Sequence, residues 1–202
     1  ILKHTRILSG IDAQHIPPDI IAAAEPVVLK GVVDSWPVVQ AGRISDRASM
    51  DYLKSFYNGN PTIVCKIPAE NAGRMFYNEN ATQLNYESFK GRIDETLDAI
   101  LAGMQQKNHP AYYIASNIID THLPGFSSEN TILVPRNKHV DAMAERVSIW
   151  IGGTTTATCH FDALDNIACC VAGKRRFTLF VPDQVSNLYP GPLEPTPGGQ
   201  VI

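Results

Sequence analysis

His160-Phe161-Asp162, then Asn166, then Gly173-Lys174-Arg175-Arg176-Phe177-Thr178-Leu179-Phe180, is the stretch on which the reading of this 202-residue chain turns. In an extended segment alternate side chains share a face, so His160 and Asp162 point the same way, about 7 Å apart along the backbone. An imidazole and a carboxylate on one face supply two ligands of a 2-His-1-carboxylate facial triad. That set leaves three metal positions open and suits non-haem Fe(II). A second match to the same pattern, His139-Val140-Asp141, lies between Pro135-Arg136-Asn137-Lys138 and the helix-like Ala142-Met143-Ala144-Glu145-Arg146. No alternation surrounds it, so Asp141 reads as a helix N-cap and His139 as a solvated loop residue.

The flanks of the first match read as β-structure. Val147 to Ile151 is a strand that ends at Gly152-Gly153, and a threonine-rich run over 154–158 leads into His160. Asn166 to Val171 and Phe177 to Val181 read as two further strands around a turn at Ala172-Gly173, with Pro182 closing the second. Short strands at this spacing suggest a barrel or sandwich. The tail with Pro190, Pro192, Pro195 and Pro197 reads as a loop.

Upstream, Pro17-Pro18 opens a helical segment through Ala24, and Pro26 to Val33 is a buried strand closed by Asp34-Ser35-Trp36-Pro37. Met50, Leu53, Phe56 and Tyr57 keep helical spacing up to Asn58-Gly59. Thr62 to Ile67 is a strand. Asn85 reads as the cap of a longer helix whose apolar stripe is Phe89, Ile93, Leu97, Ile100 and Leu101 and which Gly103 ends. Tyr112 to Ala115 is another strand, and the prolines at 124 and 135 frame an irregular region.

Bulk properties bound the partners. An apolar fraction of 44% and a charged fraction of 18% are ordinary for a globular chain with one core. Seventeen basic and twenty acidic residues give a net charge of −3 with no basic run, so nucleic acid is not indicated as the main partner. Cys65, Cys159, Cys169 and Cys170 form no CxxC spacing. They read as reduced core thiols of a cytoplasmic protein rather than as zinc ligands or disulfides. No apolar run approaches a membrane span.

Three stretches together carry a family resemblance: Glu25-Pro26-Val27-Val28-Leu29-Lys30-Gly31-Val32-Val33-Asp34-Ser35-Trp36-Pro37, His160 to Asn166, and Gly173 to Gln184 with Leu188-Tyr189-Pro190. On them the chain resembles the JmjC-like cupin proteins, the group that contains the asparaginyl hydroxylase of hypoxia-inducible factor. The resemblance implies a mainly β fold with flanking helices, a double-stranded β-helix (jelly-roll) barrel. It implies one JmjC-like cupin domain over 1–202, a mixed part over 1–145 and metal-bearing barrel strands over 146–202. It further implies an Fe(II)- and 2-oxoglutarate-dependent dioxygenase that hydroxylates a C–H bond, with 2-oxoglutarate and dioxygen as small partners. A protein or peptide substrate and a homodimer are in keeping with the family; a membrane partner is not.

Carried over residue by residue, the resemblance makes His160 and Asp162 iron ligands and puts Asn166 near the 2-oxoglutarate site. Tyr113 matches a tyrosine that hydrogen-bonds the far carboxylate of that cosubstrate. Relatives place a hydroxyl residue three before the histidine; here that position is Ala157, flanked by Thr156 and Thr158, and Thr158 is the candidate contact. Relatives also place a lysine two residues after the turn glycine, where this chain has Arg175, with Lys174 beside it. Alternation puts Arg175 with Phe177, Leu179 and Val181, and Lys174 with Arg176 and Thr178. A cation on the apolar interior face must be paired, and a guanidinium grips a carboxylate in bidentate fashion, which favours Arg175.

The family's third iron ligand is a histidine on a later strand, and no histidine follows His160. The expectation is therefore that the barrel is incomplete at its C-terminus and that the natural chain continues past Ile202 to bring that histidine in. Two other functions stay open at this stage. One is a non-catalytic JmjC-like binding module, the other a cupin using another metal for lyase or isomerase chemistry.

Overall fold

A computed structural model describes residues 4–134, 146–162 and 165–191. His139 and Asp141 lie outside them. The chain divides into two compact units, the first made of 1–60, 118–149 and 168–173, the second of 61–117, 150–167 and 174–202.

In the first unit, β1 (Arg6–Ser9) and β2 (Val27–Lys30) pair in parallel, with Arg6 opposite Val27 and Ser9 opposite Lys30. The strand expected over 26–33 is thus shorter, and Val28 is exposed rather than buried. The chain turns at Gly31, whose φ of +81° suits a residue without a β-carbon. Helix α1 (Pro18–Ala22) follows the Pro17-Pro18 signal. Helix α2 (Pro37–Ile44) is where sequence reading placed only the end of a strand. Its first turn is satisfied from far away: the Val38 amide donates to Asn130 Oδ1 at 3.1 Å, and Trp36 Nε1 donates to the Thr131 carbonyl at 3.1 Å.

Helix α3 (Asp46–Phe56) matches its predicted apolar spacing, and Ser45 caps it by accepting from the Ala48 amide at 3.0 Å. Tyr52 and Phe56 pack edge-on against Phe126, with centroids 6.2 and 5.7 Å away. The short helix α5 (Ile119–His122) comes just before Pro124, and a 3₁₀ turn at Phe126–Ser128 lies within the region read as irregular.

The second unit is built on a sheet of order β4-β3-β5-β6, formed by β3 (Thr62–Ile67), β4 (Glu87–Gly91), β5 (Ala111–Ile118) and β6 (Ser148–Gly152). β3 runs antiparallel to both neighbours, with Cys65 opposite Ser88 on one side and Tyr113 on the other. Helix α4 (Ile93–Gly103) buries Ile93, Leu97 and Ile100, the stripe read from its spacing.

Its start is a correction. Asn85 does not cap it, and Phe89 lies in β4. The helix begins only after Arg92, because residues 87–91 find strand partners on β3, and that pairing overrides the helical spacing of Phe89. Gly103 also differs from its expected role. It is the last helical residue, and a β-carbon there would lie 2.5 Å from the His109 ring, so its smallness serves close packing.

The strands expected over 166–171 and 177–181 do not form among the described residues. Phe177, Leu179 and Val181 are exposed, so the alternation marks a face that these residues leave uncovered. Strand alternation specifies a face but supplies no hydrogen-bonding neighbour. Of the cysteines, Cys65 is buried, but Cys159 and Cys170 are exposed, against the expectation of core thiols. Strands in sheets with flanking helices are present, and no closed barrel is formed by the described residues. None of the described helices is long and apolar enough to cross a membrane.

Candidate functional site

The site is assembled on the second unit. Tyr113 projects from β5 and is half-buried, and its ring lies against Gly152 at the end of β6. A β-carbon at residue 152 would come 2.8 Å from Tyr113 Cδ2, so the glycine makes the room that the ring occupies. Burial pushes the Tyr113 phenol above its ordinary range. The charge of Arg175 pulls the other way, and Cys65 adds a smaller upward push. Arg175 is therefore electrostatically coupled to Tyr113, and its guanidinium carbon sits 4.6 Å from the Phe177 ring centroid. Arg175 is exposed, not on the interior face expected for it, because residues 177–181 form no strand and leave their apolar side chains uncovered. Lys174 is exposed as well and is not among the groups that shift Tyr113.

From Gly152 the chain runs to the candidate metal residues. Thr158 is half-buried; His160, Asp162 and Asn166 are exposed. His160 Nδ1 lies 2.7 Å from the Thr158 carbonyl oxygen. A carbonyl only accepts, so Nδ1 is the donor in this contact, and Nε2 takes no part in it. Asn166 Nδ2 donates to Asp162 Oδ2 at 3.2 Å, which holds one carboxylate oxygen. These are the supports a metal-binding imidazole and carboxylate require: a held ring and an oriented acid. An imidazole nitrogen and a carboxylate oxygen are donors of the type a first-row divalent cation takes. No group of three His, Cys, Asp or Glu is gathered among the described residues.

Sequence reading missed the sheet face around Tyr113. Cys65 Sγ is 3.6 Å from Ser88 Oγ, and Cys65 stands on β3 between Ser88 of β4 and Tyr113 of β5. Tyr86 is also raised above the ordinary tyrosine range, first by burial, then by Cys65 and Tyr77. Strand register alone brings these groups together, and no local pattern signals it. Gly152 had a legible trace: a glycine beside an aromatic-bearing strand marks a close approach.

A family model of the cupin-like domain matches residues 13–202. Over 180 residues the chain is 25% identical to the JmjC domain-containing protein D of Dictyostelium discoideum, covering 82% of this chain and 37% of that protein. The chain thus spans little more than a third of the length of the curated relative it matches.

Proposed function

From the membership of the chain in the cupin-like domain family, with JmjC-like character, we propose that it is an Fe(II)- and 2-oxoglutarate-dependent dioxygenase that hydroxylates a C–H bond. The observation that carries this reading is the contact of His160 Nδ1 with the Thr158 carbonyl, which leaves Nε2 out of that bond, two residues from a carboxylate held by Asn166. His160 and Asp162 would hold the iron. The iron, when bound, supplies the activation of dioxygen together with oxidative decarboxylation of 2-oxoglutarate to succinate and carbon dioxide. The protein's part is to orient. Arg175 offers a planar cation for a cosubstrate carboxylate, and the protonated Tyr113 phenol is a hydrogen-bond donor beside it. Lys174 and Thr158 would serve as secondary contacts of the cosubstrate. A protein side chain is the favoured target, by analogy with the asparaginyl hydroxylase group.

A second reading, a non-catalytic JmjC-like binding module, is favoured by Ala157 at the position of the family's hydroxyl residue and by Arg175 at the position of its lysine. An anaerobic titration of the full-length protein with Fe(II) and 2-oxoglutarate, followed by oxygen and detection of succinate, separates the two. Metal-dependent 2-oxoglutarate binding with succinate release supports the oxygenase. Absence of metal-dependent binding overturns it in favour of the module.

A further inference from the structure

Residues 68–87 form a loop that is braced throughout. Asn71 Nδ2 donates to the Asn85 carbonyl at 2.6 Å, and Asn85 Oδ1 accepts from the Phe76 amide at 2.7 Å. Asn85 Nδ2 donates to the Arg74 carbonyl at 3.0 Å, while the Arg74 amide donates to the Asn71 carbonyl at 2.8 Å. The loop is also fastened to the segment that leads to His160. Arg74 and Thr156 form a parallel bridge, in which Met75 donates to the Thr156 carbonyl at 3.2 Å and Thr156 donates to the Gly73 carbonyl at 2.9 Å. Gly73, at φ +75°, permits this approach, since a β-carbon there would collide with the Thr154 carbonyl.

Arg74 is thus held on both sides, four residues in register ahead of the candidate metal histidine. Its guanidinium carbon lies 4.8 Å from the Phe76 centroid, and it has no ion-pair partner among the described residues. It lines an open cleft of about 270 Å³ together with Glu70, Asn71, Phe76, Tyr77 and Asn85. Glu70 faces the same space and is not paired to Arg74. The backbone carrying Arg74 is held, and a planar guanidinium over an aromatic ring is suited to a carboxylate gripped by two hydrogen bonds. Glu70 repels an anion there while Arg74 attracts it, and both effects scale with the charge of the anion.

We propose that this cleft is a subsite for a carboxylate group of the substrate, placed by the Arg74–Thr156 bridge at a set distance from His160. The inference deepens the oxygenase reading and rests on it for calling the occupant the substrate; carboxylate binding by Arg74 stands independently. The test is a titration of the metal-free full-length chain, watching the backbone amide resonances of Phe76 and Tyr77. The probes are propionate, its uncharged isostere propionamide, and inorganic phosphate. Propionate is expected to give saturable shifts and propionamide none, with phosphate separating a carboxylate subsite from a general anion site. Arg74→Gln is expected to weaken propionate binding about tenfold, and Arg74→Lys to weaken it less, because the charge remains and the fork is lost. Glu70→Gln should tighten it. Arg175→Gln should leave it unchanged, which separates this cleft from the cosubstrate pocket. Equal response to propionamide, tighter binding of phosphate, or indifference to both Arg74 substitutions overturns the proposal. Since no iron or oxygen is present, its failure is distinct from a failure of metal-dependent 2-oxoglutarate binding.

Discussion

The ring of Tyr113 occupies the space that a side chain at Gly152 would take, with only 2.8 Å between Tyr113 Cδ2 and the position of a β-carbon at residue 152. Gly152→Ala is therefore expected to displace the Tyr113 ring. Overpacking of this kind costs about 1 to 3 kcal/mol of stability. It should also weaken 2-oxoglutarate binding about tenfold through misplacement of the phenol. Urea denaturation and the anaerobic titration check the two effects separately. A variant with wild-type stability would show that the sheet yields instead.

The Tyr113 phenol gives a pH signature. Its folded pKa is raised by burial, so folding favours the protonated form. The stability this contributes is fully present below the unfolded value near 10 and is lost as pH rises through the folded pKa. Arg175→Ala removes the charge that lowers the Tyr113 pKa, so the phenol should ionise at still higher pH. Spectrophotometric alkaline titration, with Tyr113→Phe to assign the component, reads this directly. A downward move on Arg175→Ala would refute the coupling.

Asn166 holds one oxygen of Asp162 at 3.2 Å. Asn166→Ala is expected to weaken divalent metal binding roughly tenfold, the effect of losing an orienting partner. Asp162→Ala should remove it almost entirely. Competition against a chelator under anaerobic conditions measures both. Equal losses would mean that Asn166 is itself a direct contact rather than a support.

Asn130 is buried and saturated: Oδ1 accepts from Val38, while Nδ2 donates to Tyr52 Oη at 2.9 Å and to the Phe126 carbonyl at 3.0 Å. Asn130→Ala leaves the Val38 amide without its acceptor at the start of α2. The expected cost is about 2 to 3 kcal/mol. The denaturation midpoint should fall, and exchange protection of the Val38 amide should drop with it. Unchanged protection at Val38 would show that water replaces the asparagine.

Periodicity alone determined α3, β3, β5 and β6 and the buried stripe of α4, because burial of every second or every third-to-fourth side chain leaves its trace along the chain. The expectation for His160 and Asp162 was equally local, since i and i+2 share a face where the backbone is extended, though residues 160–162 form no strand and both side chains are exposed. Tertiary structure decided the rest. α2 is completed by Asn130, 92 residues away. β1 and β2 exist only as partners of each other across an intervening helix. Residues 87–91 became a strand because β3 offered an edge, and 177–181, with the same alternation as a strand, found none among the described residues. A side-chain pattern records which face a segment can bury, but a strand also needs hydrogen bonds to a neighbour, and the identity of that neighbour is not written in the segment itself.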